Sequence, residues 1–517
     1  MPSRFEPAID ALDRAIRTST PFRSWLRGRR WCGEAIGMRS ELAPKDRALL
    51  SERPTEALVL FLVTTQEGPM SQMLHLPLSV ATARFEADAF ELTAGTDRLY
   101  VSEAERRETY AKFLVEGIQR SATLQTLHGD RLHFRGEPVG AYRSMLPTAV
   151  GDTSNLLLQV ATVQRELMVK SYKLLDARNR EPTILDRLHG KGFAHVPRLL
   201  GEMALGEGED RIVLAVATDR VDAVDLFTYL SSGWRSELAG TGAVAVPVFE
   251  SASLELAAAL GEATAALHAD LADGHPGPFQ VEIFEPKDAE ATYRAATANL
   301  GDALRRLGLA AKHGGPIEGE LGSRARRLLL ENRRGIEETL HGITASVGGV
   351  KCVTHADLHL GQVLRRGIDG QLFFVDFEGE PERAPGQRSY KLPPLRDVAT
   401  VNRSFAYVKH YAWRESTGDA HAALGLFGEE TPPGPQRTWA ERLLKWETAA
   451  VDRFSREYVR AATPYRDIPF EESSRAIQGW MMEKALYELR YELKHRPANM
   501  TIPLEGVLKL ASSTANA

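Results

Sequence analysis

The sequence predicts an α+β protein with two lobes and a small N-terminal module. Three observations lead there. The first hundred or so residues alternate helix and strand signals. A strand-rich stretch follows to about residue 221. Beyond Asp225 the apolar residues recur at three and four spacing over long helical segments such as "SLELAAALGEATAALHADL" and "SRAIQGWMMEKALYELRYELKHR". The expected bounds are 1–115 for an N-terminal cap domain, 116–221 for the strand-rich lobe and 222–517 for the helical lobe.

In the cap, "EALVLFLVTT" and "MSQMLHLPLSV" flank the turn Gln66-Glu67-Gly68-Pro69, the signature of a hairpin. A helical stretch is expected around 103–124, then a strand pair near "DRLHFRGEPVGAY". In the next lobe "GDTSNLLLQVATVQRELMVKSYK" reads as turn, strand, turn, strand. "EPTILDRLHGKGF" reads as a helix and "EDRIVLAVATDRV" as another strand. "ELAGTGAVAVP" and "GEETPPGPQ" read as surface loops.

Bulk properties exclude several classes. A chain of 517 residues with a formal net charge of −5 offers no basic field for nucleic acid. The two cysteines, Cys32 and Cys352, make no disulfide framework or zinc cluster, and they point to a reducing, cytoplasmic setting. The opening "MPSRFEPAIDALDRAIR" is charged and amphipathic, unlike a signal peptide. The longest apolar run, "ALVLFLV", is too short to span a bilayer, so no membrane partner is expected. The oligomeric expectation is a monomer or a homodimer.

The chemistry gathers in "VTHADLHLGQVLRRGIDGQLFFVDFEGEP". This reads as a loop, a strand, a turn at Gly367 to Gly370 and a second strand ending at Asp376. Phosphoryl transfer from ATP needs one carboxylate to position or deprotonate the attacking hydroxyl, and oxygen ligands to hold Mg²⁺ against the phosphates. Asp357 suits the first task. Gln362 follows it at the five-residue spacing of a metal-binding Asn, and Asp376-Phe377-Glu378 stands where a metal-binding Asp-Phe-Gly stands in protein kinases. A lone His-x-Asp is usually a surface or capping pair, so the weight lies on the combination. His355 is expected to fix the loop by bonding backbone. His359 is either a half-buried loop residue or a substrate contact.

A kinase reading also requires a lysine on a strand and an acidic partner on the next helix. "LMVKSYK" supplies Lys170, with Lys173 as competitor beyond the apolar run. Glu181 opens the following helix, as its ion-pair partner or as a first-turn charge. Ser154, in the small polar turn "GDTSN", is expected over the phosphates. Thr218, Asp219 and Val221, in "VATDRV", are expected at the hinge that meets adenine.

With these residues in place, the chain resembles the maltokinases and the glucosamine kinases within the wider aminoglycoside phosphotransferase-like kinases. "HADLHLGQVLR", "VDFEGEP", "PLRDVATVNRSF" and "EKALYELRYELKHRPANMTIPL" carry the likeness. Maltokinases read His-Gly-Asp-Leu-His-Leu-Gly-Gln, Asp-Phe-Glu-Gly-Glu-Pro and Arg-Asp-Val-Ala at these places. The resemblance implies a two-lobed protein-kinase-like fold, ATP and Mg²⁺ as cofactors, and a small sugar as substrate, with Glu378 and Glu380 of the "FEGEP" stretch facing it. The departures are Ala356 for glycine, Ala406 for an aspartate, and Met482-Glu483-Lys484-Ala485 after Gln478-Gly479-Trp480. They shift the expected sugar from maltose toward glucosamine, with Trp480, Glu483 and Tyr487 lining its pocket. Maltokinase and antibiotic phosphotransferase activities remain the alternatives. No Ala-Pro-Glu follows Asp376 as a protein kinase would require. A nucleotide-binding pseudokinase is disfavoured because every expected catalytic position is filled.

Overall fold

The computed structural model describes residues 3–32, 36, 40–67, 70–146, 155–176, 179–208, 211–240, 248–313, 319–380, 391–418 and 435–515. It is an α+β structure whose chain divides into two compact units. The first comprises residues 1–189 and 197–221 with a short later segment; the second holds most of the remainder.

The first unit contains two antiparallel sheets. Strands β1 (Glu41–Arg53), β2 (Glu56–Glu67), β3 (Met70–Ala81), β4 (Phe90–Ala94) and β5 (Asp97–Glu103) run in the order β1-β2-β3-β5-β4. The β2–β3 pair is the expected hairpin, with Glu67 opposite Met70. Its Gly68 and Pro69 lie outside the described residues. β2 is apolar on both sides because both sides are covered. Ala57, Val59, Phe61 and Val63 share a core with helix α1 (Glu6–Thr18), which presents Ala8, Ile9, Leu12 and Ile16, and with helix α2 (Thr20–Arg27). Leu58, Leu60 and Leu62 join a second core under helix α3 (Glu108–Arg120).

The chain then supplies β6 (Thr123–Gln125), β7 (Arg131–Gly136), β8 (Tyr142–Leu146), β9 (Leu156–Thr162), β10 (Glu166–Ser171), β11 (Leu174–Leu175), helix α4 (Glu181–Gly190), β12 (Leu199–Leu205) and β13 (Ile212–Asp219). The second sheet runs β6-β7-β12-β13-β10-β9-β8, while β11 joins the first sheet, Leu174 opposite Leu74. Two expectations need correction. A boundary at 115 falls inside α3. The cap and the strand-rich lobe also share the second core, so they form one compact unit. The sequence hides this because β2 and α3 look equally apolar whichever sheet they cover.

The second unit is helical around a small sheet. Its elements are β14 (Ala223–Asp225), α5 (Leu226–Ala239), α6 (Val248–Leu271), β15 (Glu282–Ile283), α7 (Pro286–His313), α8 (Gly319–Glu331), α9 (Arg333–Leu340), β16 (Val350–Lys351), β17 (Val363–Arg366), β18 (Leu372–Phe374), α10 (Leu395–Thr417), α11 (Pro435–Ala461), α12 (Phe470–His495) and α13 (Thr501–Ala515). β17 pairs with β14 on one side and with β18 on the other. Among the described residues no helix is long and apolar enough to cross a membrane.

α10 and α12 organise this unit. α10 is buried through most of its length, polar residues included, and buried polar groups require partners. It finds them on α12 in rising order: Arg396 with Glu483, Arg403 with Glu488, Tyr407 with Glu492. Both sequences ascend together, so the ladder fixes a parallel register. α12 is seated from its other side by Gly479, where a Cβ would lie 2.5 Å from the backbone nitrogen of Ile343 and 3.1 Å from the Cα of Gly342.

Gly479→Ala should therefore destabilise the protein by about 1–3 kcal/mol, the usual cost of overpacking against backbone. Gly301→Ala, in α7 with nothing within 4 Å of its added methyl, should stabilise by about 0.5–1 kcal/mol. Denaturant midpoints check both. Equal shifts in the two variants would refute the close-packing account of Gly479.

Candidate active site

In the first unit Lys170 sits at the middle of β10, opposite Leu157 of β9 and Val216 of β13. Its Nζ lies 2.8 Å from Oε2 of Glu181, and the hydroxyl of Tyr172 donates to the same oxygen at 2.6 Å. Glu181 opens α4, and its own N–H donates to Oδ1 of Asn179. The competitor Lys173 is committed elsewhere: it is fully buried, with Nζ 2.5 Å from Glu105. Thr218 and Asp219 end β13 opposite Met168 and Leu167, Asp219 lies 3.4 Å from Arg165, and Val221 follows half-buried. Ser154 lies outside the described residues.

In the second unit the motif loop leads into β17. His355 places Nε2 2.9 Å from the carbonyl of Val375 and stacks at 4.7 Å on Phe377. Ala356 adopts φ +69°, a left-handed conformation that costs a non-glycine residue about 1–2 kcal/mol. The conformation turns consecutive N–H groups one way, and one carboxylate takes both. Asp397 Oδ2 accepts from His355 N–H at 2.8 Å and Oδ1 from Ala356 N–H at 3.0 Å. Behind it stand His268, 3.1 Å from Oδ2, and Tyr458, 2.8 Å from the other ring nitrogen of His268. Burial opposes ionisation of Asp397, but the His268 contact and the backbone donors outweigh it and hold the carboxyl below its ordinary range.

Arg396, one residue earlier, takes the acceptor side of the same loop. It donates to the carbonyl of Ala356 at 3.0 Å and to Glu380 Oε2 at 2.8 Å, and it lies 3.4 Å from Glu483. Lys484 completes the arrangement, with Nζ 3.0 Å from Asp357 Oδ1 and 2.6 Å from Glu380 Oε1. Among the described residues no hydrogen bond reaches the second oxygen of Asp357.

Gln362 and Asp376 stand side by side, the amide donating to Asp376 Oδ2 at 2.7 Å. Their strands are in register, since Val375 N–H donates to the Gln362 carbonyl. Asp376 also has φ +69°. A carboxylate beside an amide carbonyl is a hard-oxygen donor set, which fits Mg²⁺. His359 caps the next turn, its Nδ1 accepting from Gly361 N–H at 3.1 Å, and burial lowers its pKa. Glu378 is half-buried two residues past Asp376. Tyr487 lies against Lys484, Nζ 4.8 Å from the ring centroid, and stacks on Tyr491.

Three expected sugar contacts are corrected. Trp480 is completely buried, packs on Phe284 and donates its indole N–H to Ser346. Glu380 is fully buried between Arg396 and Lys484, and Glu483 is buried against Arg396. Their charges hold the loop and the helices together. The sequence reading also passed over Lys484, Arg396, Asp397 and His268 as site residues. The Arg-Asp pair inside the otherwise apolar start of α10 was the available signal, because charges there must be buried. Cys352, close in sequence to the loop, offers no nucleophile: burial pushes its thiol up to about 12.

A model described as the phosphotransferase enzyme family matches residues 148–405. The chain is 30% identical over 345 residues to the glucosamine kinase of Mycolicibacterium smegmatis, across 64% of this chain and 72% of that protein. Solved glucosamine kinase structures share the fold. One superposes with a TM-score of 0.59 at 19% identity, covering 97% of this chain and 99% of the other. Another, described as in complex with glucosamine, ADP and inorganic phosphate, gives 0.56 at 18% identity over 96% and 98%.

The strained Ala356 yields a prediction of opposite sign to most active-loop changes. Ala356→Gly should raise stability by up to about 1 kcal/mol, the left-handed strain relieved less the extra chain entropy of glycine. Thermal unfolding measures it. A fall in the midpoint would mean that the Ala356 methyl contributes more in packing than its backbone loses in strain.

Proposed function

Because this chain belongs to the phosphotransferase enzyme family, we propose that it is an ATP- and Mg²⁺-dependent sugar kinase that phosphorylates glucosamine at O6. The observation that carries the reading is Asp357, presented on a loop gripped from both sides, on the same hairpin that pairs Gln362 with Asp376. Asp357 positions the sugar hydroxyl and takes its proton as the oxygen attacks the γ-phosphorus. His355 ties the loop to Val375 and so keeps Asp357 in place. Asp376 and Gln362 hold Mg²⁺, which supplies charge neutralisation at the phosphate oxygens. Lys170, steadied by Glu181, holds the α and β phosphates, and the segment Thr218 to Val221 meets adenine. Glu378, His359 and Tyr487 are the sugar-side candidates. The buried, unpaired cysteines suit a cytoplasmic enzyme.

Glucosamine is favoured over maltose because the relative of 30% identity is a glucosamine kinase, and because Ala406 and the α12 stretch depart from the maltokinase pattern. ADP release over glucosamine, glucose, maltose, N-acetylglucosamine and aminoglycosides tests this. Fastest turnover on maltose or on an aminoglycoside would overturn the amino-sugar assignment and leave the kinase. Asp357→Asn should keep the fold and nucleotide binding while kcat falls about 10²-fold or more; near-normal turnover would remove Asp357 from its role. Asp376→Ala should weaken Mg²⁺-dependent ATP binding more than Gln362→Ala, since a charged ligand is lost rather than a neutral one. Calorimetry in the opposite order would exchange the two roles.

A further inference from the structure

We propose that Lys484 is a positioning residue for phosphoryl transfer, one that holds Oδ1 of Asp357 so that Oδ2 is the oxygen facing the acceptor hydroxyl. The inference rests on the kinase reading above. Lys484 does not touch the reacting atoms in this scheme; it acts through Asp357.

The geometry is a closed circuit. Asp357 Oδ1 meets Lys484 Nζ, and Nζ also meets Glu380 Oε1. The other oxygen of Glu380 meets Arg396, and Arg396 donates to the carbonyl of Ala356, the residue before Asp357. The circuit thus returns to the loop it started from, and it fixes the carboxylate at both its side chain and its backbone. Lys484 is buried, with its side chain only 6% exposed, while that of Asp357 is 16% exposed. The face of Asp357 that stays open is the one turned away from the lysine. A carboxylate with both oxygens open could rotate and present either. One oxygen taken by a buried ammonium leaves a single defined acceptor, which is the orientation requirement for transfer.

The ammonium also stays charged. Burial favours the neutral amine, but Asp357 and Glu380 outweigh burial and raise its pKa well above the ordinary lysine value. Lys484 therefore does not compete for the proton. In the step itself the acceptor O–H breaks, its proton passes to Asp357 Oδ2, and the acceptor oxygen bonds the γ-phosphorus. The bond from that phosphorus to the β–γ bridging oxygen breaks, and its electron pair leaves on ADP. Tyr487 packs over Nζ and closes the circuit from the side.

A double-mutant cycle tests the inference on the full-length protein with glucosamine and ATP. Lys484→Met should lower kcat about 10²-fold, the cost of misplacing a reacting group by about 1 Å, while KM for ATP stays put. Lys484→Arg, which keeps the charge, should recover most of the loss. Asp357→Asn/Lys484→Met should be no slower than Asp357→Asn alone, because the lysine has nothing left to position. Losses that multiply in the double variant would overturn the inference, as would Lys484→Met turning over like the unaltered protein. If Lys484→Met fails to fold, the same cycle run with Lys484→Arg decides by the same criterion of additivity. An unaltered protein that releases ADP with no sugar would sink the kinase reading itself, and this inference with it; an active protein with additive losses sinks the inference alone.

Discussion

The grip of Asp397 on the backbone of His355 and Ala356 is the constraint on which the site depends. A left-handed residue breaks the strand pattern, so its N–H and that of its neighbour cannot be satisfied by a ladder. In a buried loop each unsatisfied donor costs about 1–3 kcal/mol. One carboxylate meets both, and it can do so because α10 carries it into the core. Successive helix positions point about 100° apart. Arg396 therefore diverges from Asp397 and reaches the Ala356 carbonyl and Glu380. Two adjacent residues of one helix thus hold the donors and the acceptor of one peptide segment. His268 and Tyr458 support the carboxylate from behind, so the helices α6 and α11 are tied to the same point.

The buried charges of the second unit follow from this placement. Buried ions are expensive unless paired, and removing one partner costs about 3–5 kcal/mol because the other is stranded. α10 and α12 answer with a ladder of pairs, and α10 adds Lys409 between Glu447 and Glu505. Such pairs add little net stability compared with apolar packing. They do discriminate registers, since a slip of one turn would leave several charges unmatched at once. That register, together with the close seat of Gly479 on Gly342, is what brings Lys484 to Asp357.

The α+β class and the hairpin carrying Gln362 and Asp376 were legible because period and spacing are local properties. Lys170 and Glu181 were legible as a pair for a similar reason: an apolar strand ending in lysine and a helix opening with glutamate lie eleven residues apart. The α12 face was not. Most of that helix is buried, so its pattern no longer separates an outer face from an inner one, and Trp480 read as a sugar platform when it is core. Glu380 and Glu483 read as substrate groups for want of their partners on α10, which lie 16 and 87 positions away in sequence. The cap boundary failed for a related reason, since a strand apolar on both sides gives no hint that two sheets share it.

The pairing also bears on which acceptor suits the proposed site. Among the described residues the circuit around Asp357 sets three carboxylates, Asp357, Glu380 and Glu483, against two cations, Arg396 and Lys484. One negative charge is left over, and Asp376 on the neighbouring strand adds another. An excess of negative charge in a half-buried site is relieved by a bound cation. Mg²⁺ accounts for part of it, and an ammonium-bearing sugar is a better electrostatic match than a neutral disaccharide for the remainder. The amine need not be read by a dedicated side chain for this preference to act. A field shared by several fixed carboxylates favours it at any position near them, which explains how the site can suit an amino-sugar although Glu483 is already committed to Arg396.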